Sequence, residues 1–502
     1  MLTTDIEQLL FTILKTPVTL GIPANPDHGD YATNLAFLLV KQLKKNPQSI
    51  ATELIETLNQ NPELTQRAQC TALNGFINIK LHNPFLIEQL HQDHASFPQQ
   101  NQKILLEYVS ANPTGPLHIG HGRWAAIGSV LETLLRHINA DISTEFYIND
   151  AGNQIQNLFR TIEAIRAGQP IPEDGYHGAY VEMLAHSENP VQTLLDSQKT
   201  ILERFRVTFT SWFSEKTLHQ NDAIVKAIEQ LKPYTYTQDG ALWFKSTQFQ
   251  DEKDRVLIKE DGAYTYFAVD IAYHLNKIER QFTHLINIWG ADHHGYVERI
   301  KAAIKAISAQ PIEFQIIIGQ LVSLFRNGEP VRMSKRTGEM ITLEEVMDEI
   351  GVDATRFFLI SKNHDTHLEF DLELAKKQSQ ENPVYYIQYA HARICSIQKK
   401  INPTLPITIS TDYQLNAQER ALILQILQCH EEIYAAATHC APYKIALYTI
   451  ALARGFHAFY EHCPILNAPP AIQNARLFIL DKVKSTMQTC FSIMGISAPE
   501  SM

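Results

Sequence analysis

From Lys103 onward the chain alternates short apolar runs with helix-periodic segments, and this alternation restricts it to a sheet flanked by helices. KILLEYVS, TEFYIND, HLINIWG and FQIIIGQLVSLF are the strand candidates. After the first of them, Trp124, Ile127, Val130, Leu131, Leu134, Leu135 and Ile138 recur on one face of a helix. Strands separated by helices predict a parallel sheet covered on both faces, a nucleotide-binding architecture in which ligands sit beyond the carboxyl ends of the strands. From about Gly152 to Asp261 the chain is polar, helix-rich and broken by YHGAY and YTQDG, which reads as an insertion.

The flanks differ from this centre. Residues 1–95 read as a small α/β unit: a helix near Asp5–Lys15, the turn-rich PANPDHGDYATN, the apolar LAFLLVKQL, a helix opened by Asn46-Pro47, and the alternating strand GFINIKL. After about Gly351 nearly every segment has helical spacing, as in YYIQYAHARICSI and ALILQILQCHEEIYAAA, and a bundle is expected. The divisions are therefore 1–95, 96–350 with its insertion at about 152–261, and 351–502. Three domains also suit 502 residues at roughly 150 residues per domain.

Composition excludes several classes. With 45% hydrophobic residues and no long apolar run, there is no candidate membrane span, and the acidic Asp5 and Glu7 make the N-terminus a poor signal peptide. A cytoplasmic protein is expected. Six cysteines with no C-x-x-C pair indicate neither a disulfide framework nor a zinc site. A net charge of −11 argues against indiscriminate nucleic-acid binding but allows a local basic patch.

Two segments carry chemistry. In EYVSANPTGPLHIGHGR, Pro113, Gly115 and Pro116 end the strand, and His118, Gly120 and His121 fall where the next helix begins. Backbone N–H groups at a helix start attract phosphate, glycine allows close approach, and imidazoles can donate to phosphoryl oxygens. Two satisfied histidines in a turn would look the same as an isolated pattern. In FRNGEPVRMSKRTGE, Arg326, Arg332, Lys335 and Arg336 crowd a loop ahead of a helix capped by Thr342 with Glu345 three residues on. A cationic loop suits a reaction that releases pyrophosphate, although a charge run alone also suits a solvated turn.

Together these segments resemble class I aminoacyl-tRNA synthetases. HIGH at 118–121 matches the first signature, and RMSKR at 332–336 is similar to the second, KMSKS, with Arg332 for its first lysine, Lys335 retained and Arg336 for its last serine. SANPTGPLHIGHGR, FYINDAGNQI, GADHHGYVER and the run from VDATRFFL to NPVYYIQYAHARI resemble the arginyl-tRNA synthetase family over nearly the whole chain. The resemblance implies a Rossmann-like catalytic domain, an N-terminal domain that contacts tRNA, and an all-α anticodon-binding domain. That last domain is named for a D-A-L-R motif, here Asp353-Ala354-Thr355-Arg356. No large editing domain is expected.

The family's activity would be ligation of arginine to tRNA, with ATP and Mg2+ as the substrate complex and no resident metal. By resemblance, His118, His121 and Lys335 act on the phosphates, with Gly120, Met333, Ser334 and His294 completing the ATP site. Glu107, Asn112, Tyr266, Asp270 and His293 are assigned to arginine, whose guanidinium needs carboxylates in planar geometry. Asp292, His293 and His294 also invite a metal reading, which lacks a suitably spaced third-ligand cluster. Lys41, Lys44, Lys45, Tyr385, Tyr386, Tyr389 and Arg393 are candidates for tRNA contact, although the tyrosines have the helical spacing of core residues. The resemblance further implies a monomer whose adenylate step depends on bound tRNA.

Overall fold

The computed structural model describes residues 2–92, 97–100, 102–331, 341–401 and 407–502, apart from the side chains of Pro26, Asp292, His293 and His294. The N-terminal unit is a three-stranded antiparallel sheet, β1 (Tyr31–Thr33), β2 (Ala68–Leu73) and β3 (Phe76–Leu81), in the order β1-β3-β2. Helices Leu2–Leu14 and Pro47–Leu58 bury their apolar sides within this unit, whereas Asn83–His91 packs against helix Ala417–Leu427. Asn46 caps Pro47–Leu58 by accepting from the Gln48 N–H, as its sequence signal predicts. The short β1 lies inside the stretch read only as turn-rich.

The central sheet has five parallel strands: β4 (Lys103–Glu107), β5 (Asp141–Ile148), β6 (Ser211–Ser214), and, after a small antiparallel sheet of β7 (Thr235–Gln238), β8 (Ala241–Phe244) and β9 (Arg255–Ile258), the strands β10 (His284–Gly290) and β11 (Glu313–Gly319). Their spatial order, β11-β10-β4-β5-β6, reverses direction between β4 and β10. In a doubly wound sheet that reversal opens a crevice beyond the strand ends. Register places Glu107, the last residue of β4, between Asn287 of β10 and Glu145 of β5. Beyond Glu107 the strand stops, because Val109 and Ser110 turn into the left-handed region at φ 67° and 42°.

Two expectations need correction. The segment 152–261 is not only a helical insertion: β6 extends the central sheet, and β7 to β9 form a sheet of their own. FQIIIGQLVSLF is not one strand but β11 followed by β12 (Val322–Arg326), which pairs antiparallel with β13 (Glu329–Pro330) and parallel with β14 (Leu368–Asp371). The break has two causes. A Cβ at Gly319 would fall 1.8 Å from the Trp124 ring, so only glycine fits there. The buried Arg123 guanidinium then collects the carbonyls of Gln320 (2.7 Å), Asn363 (2.8 Å) and Thr366 (2.9 Å), bending the chain around one cation.

Beyond β14, helices Pro383–Ile401, Ala417–Leu427, Cys429–Thr438, Tyr443–His462 and Pro470–Met494 form the expected bundle. All six cysteines are buried as free thiols. Among the described residues no helix is long and apolar enough to cross a membrane.

Candidate active site

The helix Ile119–His137 follows β4 and starts at the HIGH turn, with His118 as its N-cap. The His118 Nδ1 accepts from the N–H groups of Gly120 (3.1 Å) and His121 (3.4 Å), and the His118 N–H donates to the His121 Nδ1 (3.3 Å). The two rings stack with centroids 3.6 Å apart. With Nδ1 accepting in both, the neutral imidazoles carry their protons on Nε2, so each Nε2–H is a donor. Gly120 is required first by this cap, since a Cβ there would meet the His118 ring at 2.9 Å.

The second segment returns to the same place. Thr342 forms a backbone bridge with His118, and the Leu343 N–H donates to the Leu117 carbonyl at 2.8 Å. Thr342 and Glu345 make the expected capping box on helix Leu343–Ile350. Arg332, Met333, Ser334, Lys335 and Arg336, together with the side chains of His293 and His294, lie outside the described residues. Thr342, six residues after Arg336 in the sequence, is thus seated on the HIGH turn.

The acidic groups gather across the crevice. Helix Tyr266–Glu279, capped by Thr265, presents Tyr266, Asp270, Tyr273 and Lys277 on one stripe that runs from the strand ends inward. Tyr266 is exposed at the mouth. The Tyr296 hydroxyl donates to Asp270 Oδ2 at 2.5 Å. Burial pushes the Asp270 carboxyl up to about 7; the Tyr296 hydrogen bond opposes this, Glu215 and Glu107 add to it, and Lys277 opposes it. Beside it, Tyr147 donates to Glu215 Oε2 (2.7 Å), and burial raises that carboxyl too. Such a group is a poor anion until a cation arrives.

Glu107 is buried and hydrogen-bonded from below. Lys277 Nζ donates to its Oε2 at 2.5 Å and Ser110 Oγ to its Oε1 at 3.2 Å. The Asn112 amide donates to Gln154 Oε1 at 2.7 Å. Sequence reasoning missed Tyr296, Glu215, Tyr147 and Lys277. Lys277 had a signal, since it stands seven residues after Asp270 on the same helical face. The other three come from segments with no common spacing.

Comparison with known proteins matches this geometry to a family. Residues 2–81 match the arginyl tRNA synthetase N terminal domain, 186–395 the catalytic domain of class I (R) tRNA synthetases, and 387–502 the DALR anticodon binding domain. An arginine–tRNA ligase of Heliobacterium modesticaldum is 40% identical, with 97% of this chain and 94% of that protein covered. This chain belongs to the arginyl-tRNA synthetase family. An arginine–tRNA ligase of Listeria welshimeri is 41% identical over the same shares. The Thermus thermophilus arginyl-tRNA synthetase structure superposes at a TM-score of 0.85 over the whole of both chains; at 21% identity it speaks for the fold alone. The class I synthetase fold, with an N-terminal domain, a parallel-sheet catalytic domain and a helical C-terminal domain, is therefore the fold of this family member.

The tRNA candidates are dispersed. Lys41, Lys44 and Lys45 are exposed on the N-terminal unit, with Lys45 paired to Glu53. In the bundle Tyr385 stacks on Tyr389, Tyr386 packs against His457, and Arg393 donates to the Tyr460 hydroxyl.

Proposed function

We propose that this synthetase-family chain ligates L-arginine to its cognate tRNA in two steps, through arginyl-adenylate. Arginine's carboxylate attacks the α-phosphorus of Mg-ATP, a C–O–P linkage forms, and pyrophosphate departs. The terminal ribose hydroxyl of tRNA then attacks the activated carbonyl and AMP leaves. The first step needs no protein base, because the nucleophile is already an anion; alignment and cationic stabilisation suffice.

One observation carries this reading: two carboxylates and two oriented imidazole donors converge at the switch point of a single parallel sheet. Glu107 and Asp270 hold the guanidinium, Tyr266 and His293 shape that pocket, and Asn112 meets the α-amino or carboxylate end. His118 and His121 donate from Nε2 to the phosphates, with Gly120, Met333, Ser334 and His294 around the nucleotide. Lys335 neutralises charge on the departing pyrophosphate. The N-terminal unit (1–95) and the bundle (351–502) hold tRNA through Lys41, Lys44, Lys45 and Arg393, with Tyr385, Tyr386 and Tyr389 as stacking surfaces. The enzyme works as a cytoplasmic monomer.

Aminoacylation of total tRNA with each of the twenty amino acids tests specificity, and charging with anything but arginine would overturn it. We further infer that adenylate formation depends on tRNA. Full-rate exchange of pyrophosphate into ATP with arginine but without tRNA would contradict that coupling.

A further inference from the structure

Glu107 and Glu145 stand side by side in register on β4 and β5, both buried, and like charges directly opposed on a sheet repel. Two cations from one helix end answer them. Arg280 reaches Glu145 with both terminal nitrogens (2.6 and 2.8 Å), and Glu145 also accepts from Tyr273 (2.8 Å) and Ser211 (2.8 Å). Lys277, fully buried, donates to Glu107 Oε2 and to Asn287 Oδ1 (3.2 Å), and its ammonium lies 4.3 Å from the Tyr273 ring centroid. The division is unequal. Four donors surround Glu145, whereas Glu107 receives Lys277 and Ser110 among the described residues, fewer than its roughly four acceptor sites.

We propose that Lys277 is a positioning residue for arginine recognition: its ammonium pins Glu107 Oε2 from inside the sheet, so the carboxylate faces the substrate guanidinium in one orientation. This rests on the reading of Glu107 as an arginine contact. A buried cation beneath a site for a cation looks self-defeating, but its effect is selective. Lys277 keeps two adjacent buried glutamates tolerable and works against the proton on Asp270, two turns earlier on the same face of the helix. The groups facing this cluster are Glu107 at the end of β4 and Ser110 beyond it, Glu145 and Tyr147 on β5, Glu215 after β6, Asn287 on β10, Tyr296 before the next helix, and Asp270, Tyr273, His274 and Arg280 on or beside the lysine's own helix.

The test is tRNA aminoacylation by the full chain, with KM measured separately for arginine, ATP and tRNA from pH 6 to 8.5. Lys277→Met is expected to raise the arginine KM about tenfold or more with the ATP and tRNA values within about threefold, and to move the midpoint of the arginine pH profile upward. In a Glu107→Gln background the same change should add less than about threefold, because the two act as one unit. Equal effects on all three substrates, or an unmoved pH profile, would reduce Lys277 to a structural role. Asn287→Asp keeps the lysine and places a competing carboxylate on it. Asn287 Nδ2 has no hydrogen-bond partner among the described residues, so this variant sacrifices no bond there. It should move the arginine KM and the pH midpoint in the same direction, and no movement would overturn the proposal even if Lys277→Met fails to fold. Failure of the Glu107 reading is separate: Glu107→Gln alone would then leave the arginine KM unchanged.

Discussion

At the scale of single residues, the site is organised by pairing each polar group with one that limits its freedom. His118 and His121 spend their Nδ1 atoms on the helix cap, which orients both Nε2–H groups. Asp270 has the opposite character: burial and neighbouring carboxylates raise it to about 7 against one hydrogen bond from Tyr296. Its folded form therefore holds a proton more tightly than its unfolded form, so its contribution to stability is present at low pH and is lost as pH rises through about 7. A bound guanidinium, charged at every accessible pH, reverses that cost. Arginine affinity is expected to fall about tenfold per pH unit below that midpoint and to level above it, and arginine should raise the melting temperature more at pH 8 than at pH 6. Tyr296→Phe removes the hydrogen bond that favours the carboxylate, so the midpoint of the arginine profile should move to higher pH. An unchanged midpoint would dissociate Asp270 from arginine binding.

At the scale of elements, glycines decide how closely the helix of the HIGH turn approaches its neighbours. A Cβ at Gly122 would lie 2.7 Å from Leu343 Cδ1, on the helix whose cap, Thr342, is bridged to His118. A Cβ at Gly128 would enter the Tyr108 ring at 2.2 Å. Gly122→Ala is therefore expected to cost about 1–3 kcal/mol, read as a lower denaturant midpoint. It should also slow the adenylate step more than it weakens tRNA binding, since the displaced helix follows directly on the segment containing Lys335. Single-turnover pyrophosphate release with bound tRNA separates the two.

For the whole molecule, one arginine joins parts distant in sequence. Arg356, in the D-A-T-R motif, is fully buried and donates to the carbonyls of Phe205 (2.6 Å) and Met494 (2.9 Å) and to Ser129 Oγ (2.8 Å). Gly495, at φ 66°, closes the last helix directly on this guanidinium, and a Cβ there would meet it at 2.6 Å. The neighbouring Asp353 accepts from Arg206 and Gln388. The motif thus ties the helix of the HIGH turn, the segment before β6 and the end of the bundle to one point. Arg356→Ala should cost about 3–5 kcal/mol, because it leaves buried carbonyls unpaired, and should convert a single unfolding transition into separated ones. Scanning calorimetry checks this; a retained single transition with an unchanged midpoint would contradict it. A second tie links the ends of the chain, where Arg420 donates to Asp30 Oδ2 (2.6 Å) and to the Leu81 carbonyl (2.9 Å).

The strands KILLE, HLINI and FINIKL, the HIGH turn and the Thr342 capping box were legible in the sequence because each is a local pattern: a short apolar run, an alternation of period two, a strand break followed by a helix start, a cap three residues from its partner. Asp270 was singled out only through the family resemblance; its spacing from Tyr266 placed both on one helical face and no more. Local patterns do not report which strands become neighbours. The SWFS segment lay inside the stretch read as an insertion, yet it extends the sheet as β6, and one apolar run was divided into two strands by a distant tryptophan and a buried arginine. The amino-acid order by itself determined the class of sheet and the family. Only the tertiary structure decided that Glu107 would stand between Glu145 and Asn287 with Lys277 beneath it, because buried charges are set by whichever partners the packing brings within hydrogen-bond reach.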